Sequence, residues 1–418
     1  LYTYTSDGGI IWKYSENMGD CGALFLMKNG EVVTVAAKEI PSYFQEYLYT
    51  TDEGSEGHTA WRTRADKDTP FIVAKELDND LEYVNLADSS LSYLKQTTIN
   101  GETVTLRVPN LGSATGALYL RCDAGNPAVV YDEIEYAARH NGFAAKSGVT
   151  VDNLAIKFVG NHGIGAGTVT DLTVTNCEIG WIGGAIQHYN TSNANAGRVT
   201  RFGNGVEIYG GLYNYTIDNC YVYEAYDAGV THQYSSGGTA NVYMENVDYT
   251  NNVFEYCTYN IEYFAGSAAD GSDATRKMKD ILFENNIIRL AGYGWGQQRP
   301  DPAPAAIKGW THNNLTDGFV IRNNIIDRST HMLMQVGTAY ASSAPYLVGN
   351  TYVQHCGNDY AYYYSSYLGK KATFKYDGNI EETMRFMDED NATVYFTDPI
   401  KWEHIYVYHR NNVPGTYN

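Results

Sequence analysis

The sequence predicts an all-β chain built around a parallel β-helix, a solenoid in which one strand pattern stacks on the next. Three observations carry this. From about Asp152 to Tyr364 a β-prone run repeatedly leads into an Asn-centred turn and then a second apolar run. The instances are Leu172–Cys177, Tyr215–Cys220, Tyr249–Asn252, Ile281–Asn286, Val320–Asn324 and Tyr346–Asn350. They return every roughly 27 to 43 residues, within or near the range of repeat architectures. The spacing varies while the turn chemistry stays fixed, as expected when loops of different length leave a constant coil. Asn tolerates the left-handed backbone region, so one Asn per turn can stack into an internal ladder.

The flanks read differently. Residues 1–146 carry strand-like runs such as Gly22–Val35 and Glu102–Val108, separated by Gly/Asp/Ser-rich loops, with a polar loop at 52–68. Tyr131–Ala137 reads as the strand that enters the first coil. An uncapped stack would expose strand edges and apolar core, so 1–146 is expected to be a β-rich N-terminal cap. The β-helix then spans 147–369. Residues 370–418 are expected to form a short C-terminal cap, with strands at Ala372–Tyr376, Thr393–Thr397 and His404–Tyr408. Within it, 388–391 lacks the Gly and closing Glu of a calcium loop and reads as a solvated turn.

Composition narrows the function. Hydrophobic content of 44% and charged content of 18% describe a folded protein. No apolar run approaches a membrane span, and no signal peptide is visible. A start at Leu1 suggests a mature secreted form or a module cut from a longer polypeptide. A net charge of −19 opposes nucleic acid as a partner. Thirty-eight Tyr against 13 Phe suggests rings chosen for half-wet surfaces. The six Cys form no CxxC pair, which leaves a zinc knuckle or redox motif unsupported. Cys177 and Cys220 hold equivalent repeat positions and are expected as small buried fillers of neighbouring coils.

The second strand of each coil carries the candidate site. His162–Gly165, Asn204–Tyr209, Ala228–Gln233, Asn260–Phe264, Ala306–Trp310 and His331–Gln335 can be laid over one another. Alternation then puts Val206, Val230, Ile261 and Ile307 inside, and Glu207, Thr231, Glu262 and Lys308 outside. Two residues on, Tyr209, Gln233, Phe264 and Trp310 form a second outward row beside the polar one. Trp181, Tyr234 and Tyr293–Trp295 could wall the same groove. A polysaccharide could lay its rings on the aromatics and offer hydroxyls to the carboxylates, Gln233 and Lys308. Asp227 and His232 are further candidates for sugar or acid–base contacts, although His232 also fits a core position. For chemistry, Glu207 and Glu262 lie two rungs apart, with Asp227 nearby, as a glycoside hydrolase would need. A polysaccharide lyase would need Lys308 as its base, but no cluster of basic residues supports it. No HExxH, GxSxG or P-loop motif occurs.

Phrases such as Asn176–Gly184, Arg201–Glu207 and Tyr226–Thr231 resemble the pectin-lyase-like right-handed β-helix superfamily. In character the chain is most similar to the β-helical carbohydrate-binding modules joined to bacterial xylanases, carbohydrate-binding module family 89. That resemblance implies an extracellular, non-catalytic module for xylan or a related neutral plant polysaccharide, with a hydrolase domain in the same polypeptide. No cofactor is expected, and a structural calcium between loops stays open.

Overall fold

The computed structural model describes residues 2–4, 11–18, 21–37, 72–75, 93–99, 102–108, 116–122, 124–189, 199–298, 304–310, 315–336, 345–355, 361–365, 370–373, 389 and 391–397. The expected loop at 52–68, the expected strand His404–Tyr408 and Cys356 lie outside them.

The described chain is all-β, and from Phe143 onward most of it lies in three long sheets of parallel strands. Successive strands visit the three sheets in rotation. The first sheet holds Phe143–Ala144, Ile164–Ala166, Val206–Tyr209, Ala228–Tyr234, Tyr259–Ala265, Ala305–Gly309, Met332–Val336 and Ala361–Ser365. The second runs from Thr150–Asp152 to Tyr346–Val348, and the third from Ala155–Val159 to Thr393–Thr397. Their inner faces share one core. Val206, Val230, Ile261 and Ile307 of the first sheet meet Ile217, Tyr249, Phe283 and Ile321 of the second. Val222, Phe254, Ile288 and Ile326 complete it from the third, and all twelve are fully buried.

Asparagine does occupy the corners between the second and third sheets, in two rows with different tasks. In Asn251–Asn252, Asn285–Asn286 and Asn323–Asn324 the first residue is exposed and takes the left-handed region, at φ 58°, 59° and 57°. The second is buried and bridges to the next strand. The backbone N–H of Asn252 donates to Oδ1 of Asn286, that of Asn286 to Asn324, and that of Asn324 to Asn350, each at 2.9 Å. Each Nδ2 donates to a carbonyl oxygen behind it, on Ile217, Tyr249, Phe283 and Ile321 in turn. Cys220 precedes this row, its N–H donating to Asn252 Oδ1 at 2.8 Å, and the Cys177 N–H reaches Cys220 Sγ at 3.5 Å. Both thiols are free and buried, and burial is the main cause that pushes Cys220 up to about 12.

The far end of the row corrects the reading of 388–391. Glu389 is 8% exposed, and its Oε1 accepts both the N–H and the Nδ2 of Asn350 at 2.9 Å. Its Oε2 accepts the Tyr352 hydroxyl at 2.7 Å. Burial raises the carboxyl pKa, while the bonds from Tyr352 and Asn350 pull it down.

Upstream, Cys21–Lys28 and Glu31–Ala37 form a hairpin about Asn29–Gly30, and Glu133–Ala138 pairs antiparallel with the first of them. The run expected to enter the first coil therefore belongs to this separate sheet. Phe25 carries the sheet onto the parallel strands, with ring centroids 5.3 Å from Phe158, 5.5 Å from Trp181 and 5.6 Å from Trp295. The tyrosines also differ from expectation. Tyr215, Tyr226, Tyr249, Tyr259 and Tyr352 are among the largest fully buried side chains. Interior partners make this tolerable for Tyr249, whose hydroxyl lies 2.8 Å from His232 Nδ1, and for Tyr352 on Glu389.

Replacing Asn286 by Ala removes the acceptor of the Asn252 N–H and the donor to the Tyr249 carbonyl. At about 1–3 kcal/mol per orphaned buried group, urea unfolding should show a loss of about 2–6 kcal/mol. Asn285→Gly keeps the left-handed turn and should change stability by less than about 1 kcal/mol.

Candidate functional site

Pairing in the first sheet sets Glu207 opposite Thr231, Thr231 opposite Glu262, Glu262 opposite Lys308, and Lys308 opposite Gln335. The neighbouring residues Val206, Val230, Ile261 and Ile307 point into the core, so alternation turns this row away from it. The register is the one expected. The exposure is not: Glu207, Thr231, Glu262 and Lys308 are 9%, 0%, 4% and 2% exposed. The polar row is recessed because neighbouring side chains lean over it. Trp310 donates its indole N–H to Glu262 Oε1. Lys308 Nζ stands 4.3 Å from the Trp310 ring centroid and 5.2 Å from that of Tyr259. Asn204 Nδ2 donates to Glu207 Oε2 at 2.5 Å, and His162 Nδ1 lies 3.0 Å from the same oxygen. Thr231 Oγ1, between the two glutamates, is buried without a hydrogen-bond partner. Such hydroxyls are uncommon in folded proteins and call for an explanation.

The aromatic row lies beside it. Tyr209 pairs with Gln233 and Gln233 with Phe264, while Trp310 follows Gly309, which pairs with Tyr263. Tyr209 is 43% exposed, and Gln233, Phe264 and Trp310 are half-buried. Tyr234 extends the row, its ring 5.4 Å from that of Tyr209, with the Arg276 guanidinium 4.8 Å behind it. An open aromatic row thus borders a recessed polar one.

Four expected contributors lie elsewhere. His232 is fully buried on the inner face, its Nδ1 2.8 Å from the Tyr249 hydroxyl and its ring stacked 6.1 Å from Tyr263. It follows Thr231 by one residue, and alternation turns it inward, away from any ligand in the groove. Trp181 belongs to the third sheet and packs on Phe25 and Tyr223. Trp295 is buried under Phe25, its indole N–H donating to the Glu224 carbonyl at 2.8 Å. Asp227 sits at the turn before Ala228–Tyr234, 8% exposed, its carbonyl accepting the Tyr259 N–H at 3.1 Å. Lys308 lies against two aromatic rings, where a lyase base would have to reach the substrate.

Sequence reasoning missed His162, Asn204 and Tyr259. All three stand two residues before paired core positions, Ile164, Val206 and Ile261, and so form one column at the strand starts. The phrases His162–Gly163 and Asn204–Gly205 hold the signal. A Cβ on Gly205 would meet the Gly229 carbonyl oxygen at 2.4 Å, so the corner closes only with glycine there. That close approach brings the strand starts against the acid row. Among the described residues no group of three or more His, Cys, Asp or Glu is placed to hold a metal ion, and no helix is long and apolar enough to cross a membrane.

Burial lowers the pKa of His232 from 6.5 to about 3. Between those values the unfolded chain binds a proton that the folded one refuses. Its contribution is therefore complete above about pH 6.5 and is lost as pH falls toward 3. His232→Gln should flatten the urea-midpoint profile across that window and leave ligand binding unchanged.

The chain matches no protein-family model and no curated protein. Among solved structures it is similar to a GH136 lacto-N-biosidase from Eubacterium ramulus, at 12% identity and a TM-score of 0.27, over 66% of this chain and 53% of that one. It therefore spans about half the length of that enzyme's chain. It is also similar to the Dettilon tailspike protein, at 10% identity and a TM-score of 0.21, over 55% of this chain and 62% of that one. The catalytic domain of a GH87 alpha-1,3-glucanase aligns over 95% of this chain and 89% of its own, at 9% identity and a TM-score of 0.15. TM-scores this low decide neither topology nor activity.

Proposed function

We propose that this chain is a secreted carbohydrate-binding module that holds a neutral plant polysaccharide, of the xylan class, along the first sheet of a right-handed parallel β-helix. The observation that carries the reading is the open row Tyr209, Gln233, Phe264 and Trp310, set at the repeat of the strands. Neighbouring strands are about 4.8 Å apart, close to the advance of an extended polysaccharide per sugar. Each ring can face the C–H side of one sugar, while Gln233 and the recessed carboxylates take hydroxyl groups.

In this reading the β-rich residues 1–146 and the segment 370–418 close the two ends of the stack. The hydrophobic contacts of Phe25 and the contacts of Glu389 support those roles. A hydrolase domain in the same polypeptide would supply the substrate-degrading activity that such a module serves. The net charge of −19 argues against nucleic acid, and the ligand contacts invoked need no metal.

Native affinity electrophoresis in gels containing soluble arabinoxylan tests the reading. An aromatic face contributes about 0.5–1.5 kcal/mol, and each 1.4 kcal/mol is tenfold in affinity. The double variant Tyr209→Ala/Phe264→Ala should therefore bind about 5- to 100-fold more weakly. Equal retardation of variant and parent would sink the groove assignment.

A further inference from the structure

Crossings from the first sheet to the second differ in length along the stack. After Ile164–Ala166 and Val206–Tyr209 the crossing is made by residues 167–168 and 210–211 alone. In the next two coils it takes residues 235–241 and 266–275. The crossing at Gly210–Gly211 is therefore a low saddle beside Tyr209, and it closes tightly around its glycines. Gly210 has φ 151°, and a Cβ there would meet the Thr168 backbone nitrogen at 2.9 Å. One on Gly211 would meet the Tyr243 carbonyl oxygen at 3.3 Å. The Gly210 N–H donates to the Gln233 carbonyl at 3.1 Å and the Gly211 N–H to Thr168 Oγ1 at 3.3 Å, which fixes the saddle to the coils on both sides.

The crossing 235–241 borders the saddle and is held rigidly. The Gly237 N–H donates to the Ser267 carbonyl at 2.9 Å, and the Ala269 N–H to the Gly238 carbonyl at 3.1 Å. Arg276, 5% exposed, ties both longer crossings together, its guanidinium donating to the carbonyls of Gly238, Ala240 and Gly266. Tyr234 stands where the chain enters this crossing and Tyr243 just after it leaves. Tyr209 ends the strand before the saddle, and Tyr213 lies two residues beyond it. Four phenol rings thus surround two glycines. Tyr213 and Tyr243 are 51% and 43% exposed, and their neighbours Leu212, Val242 and Met244 point into the core, so alternation turns both rings outward. Tyr209 and Tyr213 are no more than about 14 Å of extended chain apart. The pairing of Leu212 with Met244 sets Tyr243 beside Gly211, one strand step of about 4.8 Å away.

We propose that the saddle is a branch subsite: the main chain of the polysaccharide follows the aromatic row, and a neutral sugar pendant from it crosses Gly210–Gly211 onto Tyr213 and Tyr243. The inference rests on the binding reading above, because Tyr209 belongs to both surfaces. Main-chain sugars over Gln233 and Phe264 lie beside the built-up crossings, whereas the sugar over Tyr209 has an open side. Phenol rings offer a flat apolar face to the C–H side of a sugar and a hydroxyl to its hydroxyl groups. Glu245 pairs with Tyr213 and Lys277 with Tyr243, so the two neighbouring charges are of opposite sign and give an acidic sugar no net attraction. An arabinofuranosyl unit on a xylose main chain has the chemistry that this subsite takes.

The test titrates the whole chain, by calorimetry, with xylohexaose and with the same hexaose carrying one internal arabinofuranosyl unit. The parent should bind the substituted ligand about 5- to 100-fold more tightly, the effect of two added ring faces. Tyr213→Ala/Tyr243→Ala should lose that preference and bind xylohexaose as the parent does, while Tyr213→Phe/Tyr243→Phe should keep most of it. Equal affinity of the parent for the two ligands overturns the branch subsite and leaves the binding reading standing. An equal loss for both ligands in the Ala variant also overturns it, by making the two rings part of the main groove. Tighter binding of a hexaose that carries a glucuronosyl unit overturns the neutral sugar. A parent that sediments as a dimer, with an Ala variant that sediments as a monomer, gives the patch to a second copy of this chain and overturns the subsite. No binding of either ligand overturns both readings.

Discussion

A corner between parallel strands interrupts the backbone hydrogen-bond ladder, and the buried asparagines from Asn252 to Asn350 repair it. Each supplies an acceptor to the N–H of the strand before it and a donor to a carbonyl that the turn would otherwise leave bare. Buried backbone groups left unpaired are costly, so a stack of corners needs such a residue at every level. The exposed asparagine beside it does a separate job, taking the left-handed conformation that turns the chain. Where the row begins, sulfur of Cys220 stands in for the amide, and where it ends, the Glu389 carboxylate does.

A fixed corner fixes register, and register makes the site. Because Val206, Val230, Ile261 and Ile307 are held level in the core, the residues that follow them must also stack, and four polar side chains come into one file. The residues two places earlier stack for the same reason. The glycines between these two files let the strand starts approach closely enough for His162 and Asn204 to reach Glu207. A slip of one residue would exchange the acid file for the core file.

Burial gives the same residue types opposite roles within one sheet. His232 is held neutral among Tyr249, Tyr263 and Phe283, where desolvation disfavours its charged form. His162, at the start of a strand two steps along the same sheet, faces a carboxylate instead. Aromatic rings are divided likewise. Tyr249 and Phe283 stack in parallel inside the core, whereas Tyr209 and Tyr234 meet at the surface.

The Asn-turn repeat, the pairing of Glu207 with Thr231 and of Glu262 with Lys308, and the equivalence of Cys177 with Cys220 could all be read from the sequence. A repeat imposes its own alignment, and side-chain alternation within a strand is a local property. What covers a row is not local. Trp310 leaning onto Glu262, Phe25 packing on Trp181 and Trp295, and Glu389 ending the asparagine row join residues far apart in the chain. Nothing in the spacing of one segment encodes the approach of another. The sequence by itself therefore determined which side chains share a file. Only the tertiary structure decided which files are wet, which are buried, and which polar atoms meet there, because exposure depends on every element packed against a face.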